Sequence, residues 1–579
     1  MKCDICEIGC EIRENETGRC RMYRLKDGVI VEAYPDRFMN VFPISIETMP
    51  TLHFEPRGKF LQISTVGCNL RCGGCISEIL TSDTGAISAG LKEMSPDAVV
   101  SRAEQEQCLG IVFCVNDPVV SLPTFVRVAR CARERGLYVG CSTNGYFTPA
   151  SLERIAPYLD FVNFGFKGYG DEAYRACGAH GSAPVIRNLE LLYKRGVHLE
   201  AAAIFMKGRE EDVINLAKRL ASLSRDIPFQ IMRFVPFGEA NMEDEPSIRE
   251  SEQLCDRIRE ILPYTYLFNS PGTDRLNTLC PKCGEAVVIR EFFGPMGART
   301  LRWEGKGMCR CGHAVPIRGD FHETGYHESG FFGGYRTTRA LEIIQSILEC
   351  LRVKERERLS SLWYDLINGD YLQKFHKEMQ VPANYEKVIG FLASRTGTEE
   401  RGRGLVRYIN EVLAVFRGTP FPSERPRVYY AMGYPLFALN AERIETNLVE
   451  LAGGRCVNKE LTREGKPGVT IMPEEFRGFN PEYIFISGFL SCPLSDFTRY
   501  CEEKELACDA LRNGRIYGLP PLWDFGSLRW VLGLQYIARA LHPGLLPGTI
   551  EEEAERFYRF FYDTSYTSLR PNRSFIRVG

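Results

Sequence analysis

Cys68, Cys72 and Cys75 stand in a C-x3-C-x2-C spacing on one tight loop, directly after the apolar run Phe60 to Val66. Three thiolates so arranged can ligate three corners of a cubane iron–sulfur cluster and leave the fourth iron open. An open iron can chelate the amino and carboxylate groups of the methionine in S-adenosylmethionine (SAM), which sets a sulfonium beside a low-potential electron source. Electron transfer then breaks the S–C5′ bond, and the 5′-deoxyadenosyl radical so formed abstracts hydrogen. A zinc knuckle is the competing reading, yet knuckles usually pair C-x2-C units and need a fourth ligand nearby.

Two further cysteine groups flank this loop. Cys3, Cys6, Cys10 and Cys20, spaced C-x2-C-x3-C-x9-C, offer four thiolates, enough for a closed zinc site or a fully ligated iron–sulfur cluster. Four ligands leave no open position, so the expected role is structural or electron relay. The run Cys280-Pro-Lys-Cys283-Gly reads as a zinc-ribbon knuckle, completed by Cys309 and Cys311 with His313 as a substitute ligand. Zinc is favoured there, and an auxiliary iron–sulfur cluster is the alternative. Cys114 and Cys141 read as small core residues. Cys456, Cys492, Cys501 and Cys508 match no ligand spacing and read as buried thiols.

The elements that must position these groups alternate. Apolar runs Phe60 to Val66, Gly110 to Val115, Tyr138 to Gly140, Phe161 to Phe166 and Leu199 to Phe205 are separated by helix-like segments, which implies a parallel α/β sheet. With 579 residues the chain exceeds the roughly 250 to 300 that one core supports, so several domains are expected. Residues 1–50 form a Cys-rich unit with a hairpin at Asp27-Gly28, and 51–265 hold the βα repetition. Residues 266–325 are a second Cys-rich unit, 326–424 are helical, and 425–579 return to α/β alternation.

Composition narrows the partners. The 72 basic and 74 acidic side chains give a net charge of -2, without the basic footprint that nucleic acid requires. No window of 18 residues lacks charge and no leader is recognised, so a cytoplasmic protein with no membrane partner is expected. Twenty-two cysteines in a reducing compartment favour metals over disulfides.

The run Ile63-Ser-Thr-Val-Gly-Cys68-Asn-Leu-Arg-Cys72, with Val115-Asn116-Asp117-Pro118, Thr143-Asn144-Gly145-Tyr146 and Asn163-Phe-Gly-Phe-Lys167-Gly168, resembles the radical SAM superfamily. Within it the chain is most similar to the branch related to pyruvate formate-lyase activating enzymes, often labelled the AmmeMemoRadiSam system, over about residues 1–320. The resemblance implies a partial (β/α)6 TIM-like barrel, a [4Fe-4S] cluster on Cys68, Cys72 and Cys75, anaerobic oxidoreductase chemistry on bound SAM, and a reducing partner such as flavodoxin or ferredoxin. Asn116-Asp117-Pro118 resembles that family's Asn-Glu-Pro, with the shorter Asp in place of Glu, which implies contacts to the SAM ammonium. Asn144, Glu200 and Arg233, on or beside later strands, are candidates to hold ribose, carboxylate or substrate. Gly74 stands where the superfamily usually has an aromatic residue.

Residues 425–579 resemble the C-terminal lobe of the substrate-binding proteins that serve ABC importers of cobalamin, iron-siderophore and haem. The matching runs are Asn447 to Gly454, Phe479 to Phe485, Leu511 to Pro520, and Leu532 through Pro543. This implies a three-layer α/β domain, a long helix at Glu400 to Phe416, and loop residues Tyr434, Ser487, Trp523 and Asp524 facing a ligand. The combined reading is a radical enzyme acting on a corrinoid, a tetrapyrrole or another metal complex. The alternatives are an activating enzyme that generates a radical on a partner protein, and a non-enzymatic metal- or ligand-binding protein.

Overall fold

The computed structural model describes residues 1–81, 85–236, 241–328, 330, 332–353, 355–440, 443–461, 463, 468–490 and 492–568. The chain divides into two compact units, 1–338 and 339–579.

An eight-stranded sheet organises the first unit. Its strands are β1 (Asn40–Ser45), β2 (Lys59–Ser64), β3 (Gly110–Phe113), β4 (Tyr138–Thr143), β5 (Phe161–Phe166), β6 (His198–Phe205), β7 (Phe229–Arg233) and β8 (Thr265–Phe268). They lie side by side in chain order. β1 runs antiparallel to β2, and β2 to β8 are all parallel, seven strands where six were expected.

Parallel strands joined by helical crossovers are covered on both faces, which demands continuous apolar sequence. Leu61, Ile63, Ile111, Val112, Phe113, Phe161 and Ile231 are accordingly all fully buried. The connecting helices are amphipathic. Leu122–Glu134 buries Leu122, Phe125, Val128, Ala129 and Ala132, and Glu210–Ala221 buries Val213, Ile214, Leu216, Ala217 and Leu220.

Two small units accompany the sheet. Tyr23–Lys26 and Val29–Glu32 pair antiparallel around Asp27 and Gly28, whose φ angles of 52° and 73° are those a tight hairpin turn requires. Thr278–Leu279, Ala286–Phe292 and Ala298–Trp303 make a three-stranded antiparallel sheet. Arg290 fastens that sheet from inside: its Nε lies 3.5 Å from Glu47 Oε1, both side chains are fully buried, and it donates to Thr278 Oγ1 and Leu52 O. A buried charge left unpaired is costly, so this pair fixes one arrangement.

The second unit begins with helices, the longest being Glu399–Gly418, where the sequence placed one at Glu400 to Phe416. Its sheet runs in the order Gly468–Thr470, Phe437–Leu439, Arg427–Ala431, Tyr483–Ile486, Ile516–Gly518, with Arg455–Cys456 also paired to Arg427–Ala431. Arg427–Ala431, Tyr483–Ile486 and Ile516–Gly518 are parallel. Among the described residues, no helix is long and apolar enough to cross a membrane.

Candidate functional site

Side chains at the C-terminal ends of parallel strands converge on one edge of such a sheet, and there the three central cysteines lie. β2 ends at Ser64 and the chain turns into the cysteine loop; β3, β4 and β5 end just before Asn116, Asn144 and Lys167. Cys68, Cys72 and Cys75 are each partly exposed. Gly74, between two of them, adopts φ 67°, a left-handed conformation that an aromatic residue would find strained. Its sequence departure therefore serves the backbone.

Asn116 shapes the entry to the loop. Its Oδ1 accepts from the Thr65 amide at 3.0 Å, and its Nδ2 donates to Thr65 Oγ1, Val66 O and Gly67 O at 3.0, 3.2 and 3.0 Å. Asp117 is equally engaged. Oδ1 accepts from the Val119 amide at 3.0 Å, and Oδ2 accepts from Thr143 Oγ1 at 2.9 Å and the Asn144 amide at 2.6 Å. Burial pushes its carboxyl above the usual range, against those hydrogen bonds. Both residues brace the ends of β3 and β4.

Asn144 reaches the cluster loop itself. Its Nδ2 donates to Asn69 Oδ1 at 2.7 Å and lies 3.9 Å from Cys68 Sγ, while its Oδ1 accepts from the Tyr146 amide. Hydrogen bonds to cluster sulfurs are one lever on reduction potential.

Two residues that the sequence reading left without a role complete the site. Cys177 hydrogen-bonds Cys72, and that bond, aided by the charge of Lys167 and opposed by burial, lowers the Cys72 thiol below its ordinary value. The Arg71 amide donates to Cys177 O at 2.9 Å, which ties the two segments together. Burial would lower the Lys167 ammonium, but the thiols of Cys72, Cys177, Cys75 and Cys68 around it push it up instead. Lys167 was visible in the run Asn163 to Gly168. Cys177 carried no motif, because only the fold brings it beside Cys72.

Glu200 is not part of this constellation. It sits near the start of β6, level with Asn163 on β5. Its carboxylate accepts from the Leu52 and His53 amides, His198 Nε2 and Gln230 Nε2. Those bonds outweigh the burial that would raise its carboxyl and hold it below the usual range. It anchors the segment before β2, a correction to the expected cofactor contact. Arg233 ends β7 and pairs with Glu245 at 2.6 Å, with Nε donating to Asn269 O. Among the described residues its buried Nη2 has no hydrogen-bond partner.

The donor sulfurs of Cys280, Cys283, Cys309 and Cys311 all lie within 4.8 Å of one another, with Cys280–Cys311 at 3.5 Å and Cys283–Cys309 at 3.4 Å. Four thiolates bound to one ion at about 2.3 Å stand about 3.8 Å apart, so this set fits a single tetrahedral metal. His313 is no substitute ligand: its Nε2 faces Tyr264 OH at 3.1 Å, and its backbone carbonyl accepts from the Cys309 amide. Cys3, Cys6, Cys10 and Cys20 line a separate, small pocket that is partly open to solvent.

In the second unit Tyr434, Ser487, Trp523 and Asp524 are all buried. Asp524 Oδ2 accepts from Tyr430 OH, Ser487 Oγ and the Gly488 amide at 2.7 to 2.9 Å, a network internal to the fold. Cys114, Cys141, Cys456, Cys492, Cys501 and Cys508 are buried as expected.

Residues 63–220 match the family model described as the Radical SAM superfamily. An uncharacterized protein of Methanocaldococcus jannaschii is 27% identical over 326 residues, covering 55% of this chain and 95% of that relative. Among solved structures, a periplasmic solute binding protein of Veillonella parvula aligns at 17% identity and TM-score 0.29, over 34% of this chain and 65% of its own. The Helicobacter pylori protein Ceue with Ni(II) bound aligns at 18% and 0.28, over 34% and 63%. The chain thus spans less than two thirds of either solved chain.

Proposed function

We propose that this chain is a radical SAM enzyme of the cytoplasm that cleaves SAM reductively and uses the resulting radical to abstract hydrogen from a substrate. The observation that carries this reading is the convergence of Cys68, Cys72, Cys75, Lys167 and Asn144 at one edge of the sheet, inside the matched domain. The donor set suits a [4Fe-4S] cluster: three thiols and no fourth ligand within their own loop. When bound, such a cluster supplies one electron to the SAM sulfonium, giving methionine and the 5′-deoxyadenosyl radical.

The chain's own residues would then act as follows. Lys167 offsets the negative charge of the three thiolates. Asn144 donates toward Cys68, and Asn116 with Asp117 holds the strand ends that carry the loop. Arg233, paired with Glu245, holds the end of β7. We assign the electron supply to a reduced flavodoxin or ferredoxin. The substrate reading rests on the sequence runs of 425–579 and is a corrinoid, a tetrapyrrole or another metal complex. The Cys280/Cys283/Cys309/Cys311 set is assigned to zinc.

The test is anaerobic reconstitution, reduction and incubation with SAM, with Cys68→Ala, Cys72→Ala and Cys75→Ala as controls. 5′-Deoxyadenosine should form with the native protein and vanish in each variant. No product from a protein that carries its cluster would overturn the reading.

A further inference from the structure

Two cysteine quartets in the first unit differ in the space between their sulfurs. Two sulfurs bound to the same zinc can be no further apart than twice the bond length of about 2.3 Å, or about 4.6 Å. Cys280, Cys283, Cys309 and Cys311 meet a 4.8 Å limit as a full set; among the described residues no other group of three or more ligand side chains does, so no three of Cys3, Cys6, Cys10 and Cys20 meet it. The central triad, whose cluster reading puts each thiolate on a different iron, fails the same limit. The N-terminal quartet nevertheless lines one pocket, partly open to solvent, whose wall also includes Tyr23, Val119, Val120 and Asn69.

We propose that Cys3, Cys6, Cys10 and Cys20 hold a polynuclear iron–sulfur cluster, not a single zinc ion, and that it exchanges electrons with the cluster on Cys68, Cys72 and Cys75. The second part rests on the reading of the central triad given above; the first does not. Four thiolates leave no iron open, so this cluster binds no SAM and serves as an electron carrier.

Its position suits that role, because the two cradles share a wall. Asn69, the residue after Cys68, lines the N-terminal cavity. Gly67, the residue before Cys68, lies so close to Cys20 that a Cβ added there would sit 2.7 Å from the Cys20 carbonyl oxygen. Gly67 also needs its φ of 79°, so both space and backbone require glycine. On the other side, Arg19 donates to the Gly178 carbonyl, one residue from Cys177, which bonds Cys72. In the transfer step a one-electron donor protein reduces the N-terminal cluster by one electron. That cluster is reoxidised as the same electron passes to the central one, with no proton or bond change required.

The test uses the full chain with Cys68, Cys72 and Cys75 all replaced by Ala, reconstituted anaerobically with iron and sulfide. We expect two or four irons with matching sulfide, one zinc per chain, and a reduced-state EPR signal that does not change when SAM is added. Adding Cys6→Ala and Cys10→Ala should remove that iron and leave the zinc. Circular dichroism of each variant, and metal counts on the native chain, guard against misfolding. Two zincs per chain, or no iron in a folded triple variant, would overturn the cluster. In the native chain, reduction of both sites should give a spin-coupled EPR spectrum that neither set of variants shows; two independent, additive signals would overturn the exchange. These results stand apart from the SAM cleavage assay, whose failure would sink the central reading alone.

Discussion

The side-chain amide of Asn144 lies 3.9 Å from Cys68 Sγ and 2.7 Å from Asn69 Oδ1. One donor group is thus shared between a candidate cluster ligand and its neighbour. Donation toward a cluster sulfur favours the more negative, reduced state. Loss of a hydrogen bond worth about 1 to 1.5 kcal/mol corresponds to roughly 40 to 60 mV for one electron. Asn144→Ala should therefore lower the midpoint potential of the central cluster by that amount in an EPR-monitored redox titration, with slower SAM cleavage. An unchanged potential would show that the amide serves Asn69 alone.

Both ends of the Asn116 side-chain amide are engaged, its Oδ1 by the Thr65 amide and its two N–H groups by Thr65 Oγ1, Val66 O and Gly67 O. Asn116→Ala leaves those buried backbone groups unpaired, at a cost of about 2 to 3 kcal/mol. Asn116→Asp should be worse, since it turns a donor into an acceptor against two carbonyl oxygens. Denaturant unfolding and iron retention after desalting check this. Full iron retention with native stability in both variants would remove Asn116 from the positioning role.

Cys283 is exposed, with its sulfur 3.4 Å from Cys309. Cys283→Ser should lose about one zinc per chain while iron content is unchanged, because the set fits one ion. Loss of iron instead would mean that an iron–sulfur cluster occupies Cys280, Cys283, Cys309 and Cys311.

Much of this site was legible because its signals are local. The C-x3-C-x2-C spacing fixes three ligands on one loop whatever surrounds them, and the continuous apolar runs declare a parallel sheet. Cys177 was not legible, since nothing in its neighbourhood marks it and its contact with Cys72 exists only after β5 and its following helix are in place. Glu200 misled for the same reason: a carboxylate on a strand points to function only if it lies at the C-terminal end, and register decides that. Ser487 donates to Asp524 inside the second unit, which polar loop composition does not reveal.

Glu328 is almost fully buried and accepts from the Ser45 amide and Thr48 Oγ1, each at 3.0 Å. Burial raises its carboxyl from 4.5 to about 7. The native state therefore holds a proton that the unfolded chain releases between these values, and stability from this group falls as pH rises through that window. The full effect is up to about 3 kcal/mol. Glu328→Gln should flatten the dependence and be the more stable protein at pH 8 than at pH 5.5 relative to wild type, by urea unfolding. An identical pH profile would sink this.

Glu200 has the opposite sign. Its carboxyl is held below its ordinary value of 4.5, so its stabilisation is present above that value and is lost as pH falls through the lower, folded one. Glu200→Gln puts an amide against backbone donors from Leu52 and His53 and should cost about 3 kcal/mol at pH 7. The difference from wild type should narrow as pH falls below 4.5 toward the lower, folded value, where the native carboxylate takes up its proton. SAM cleavage per folded, cluster-loaded chain should be unchanged, since Glu200 lies at the far end of β6 from the cysteine loop. Loss of cleavage with unaltered stability would return Glu200 to the cofactor site.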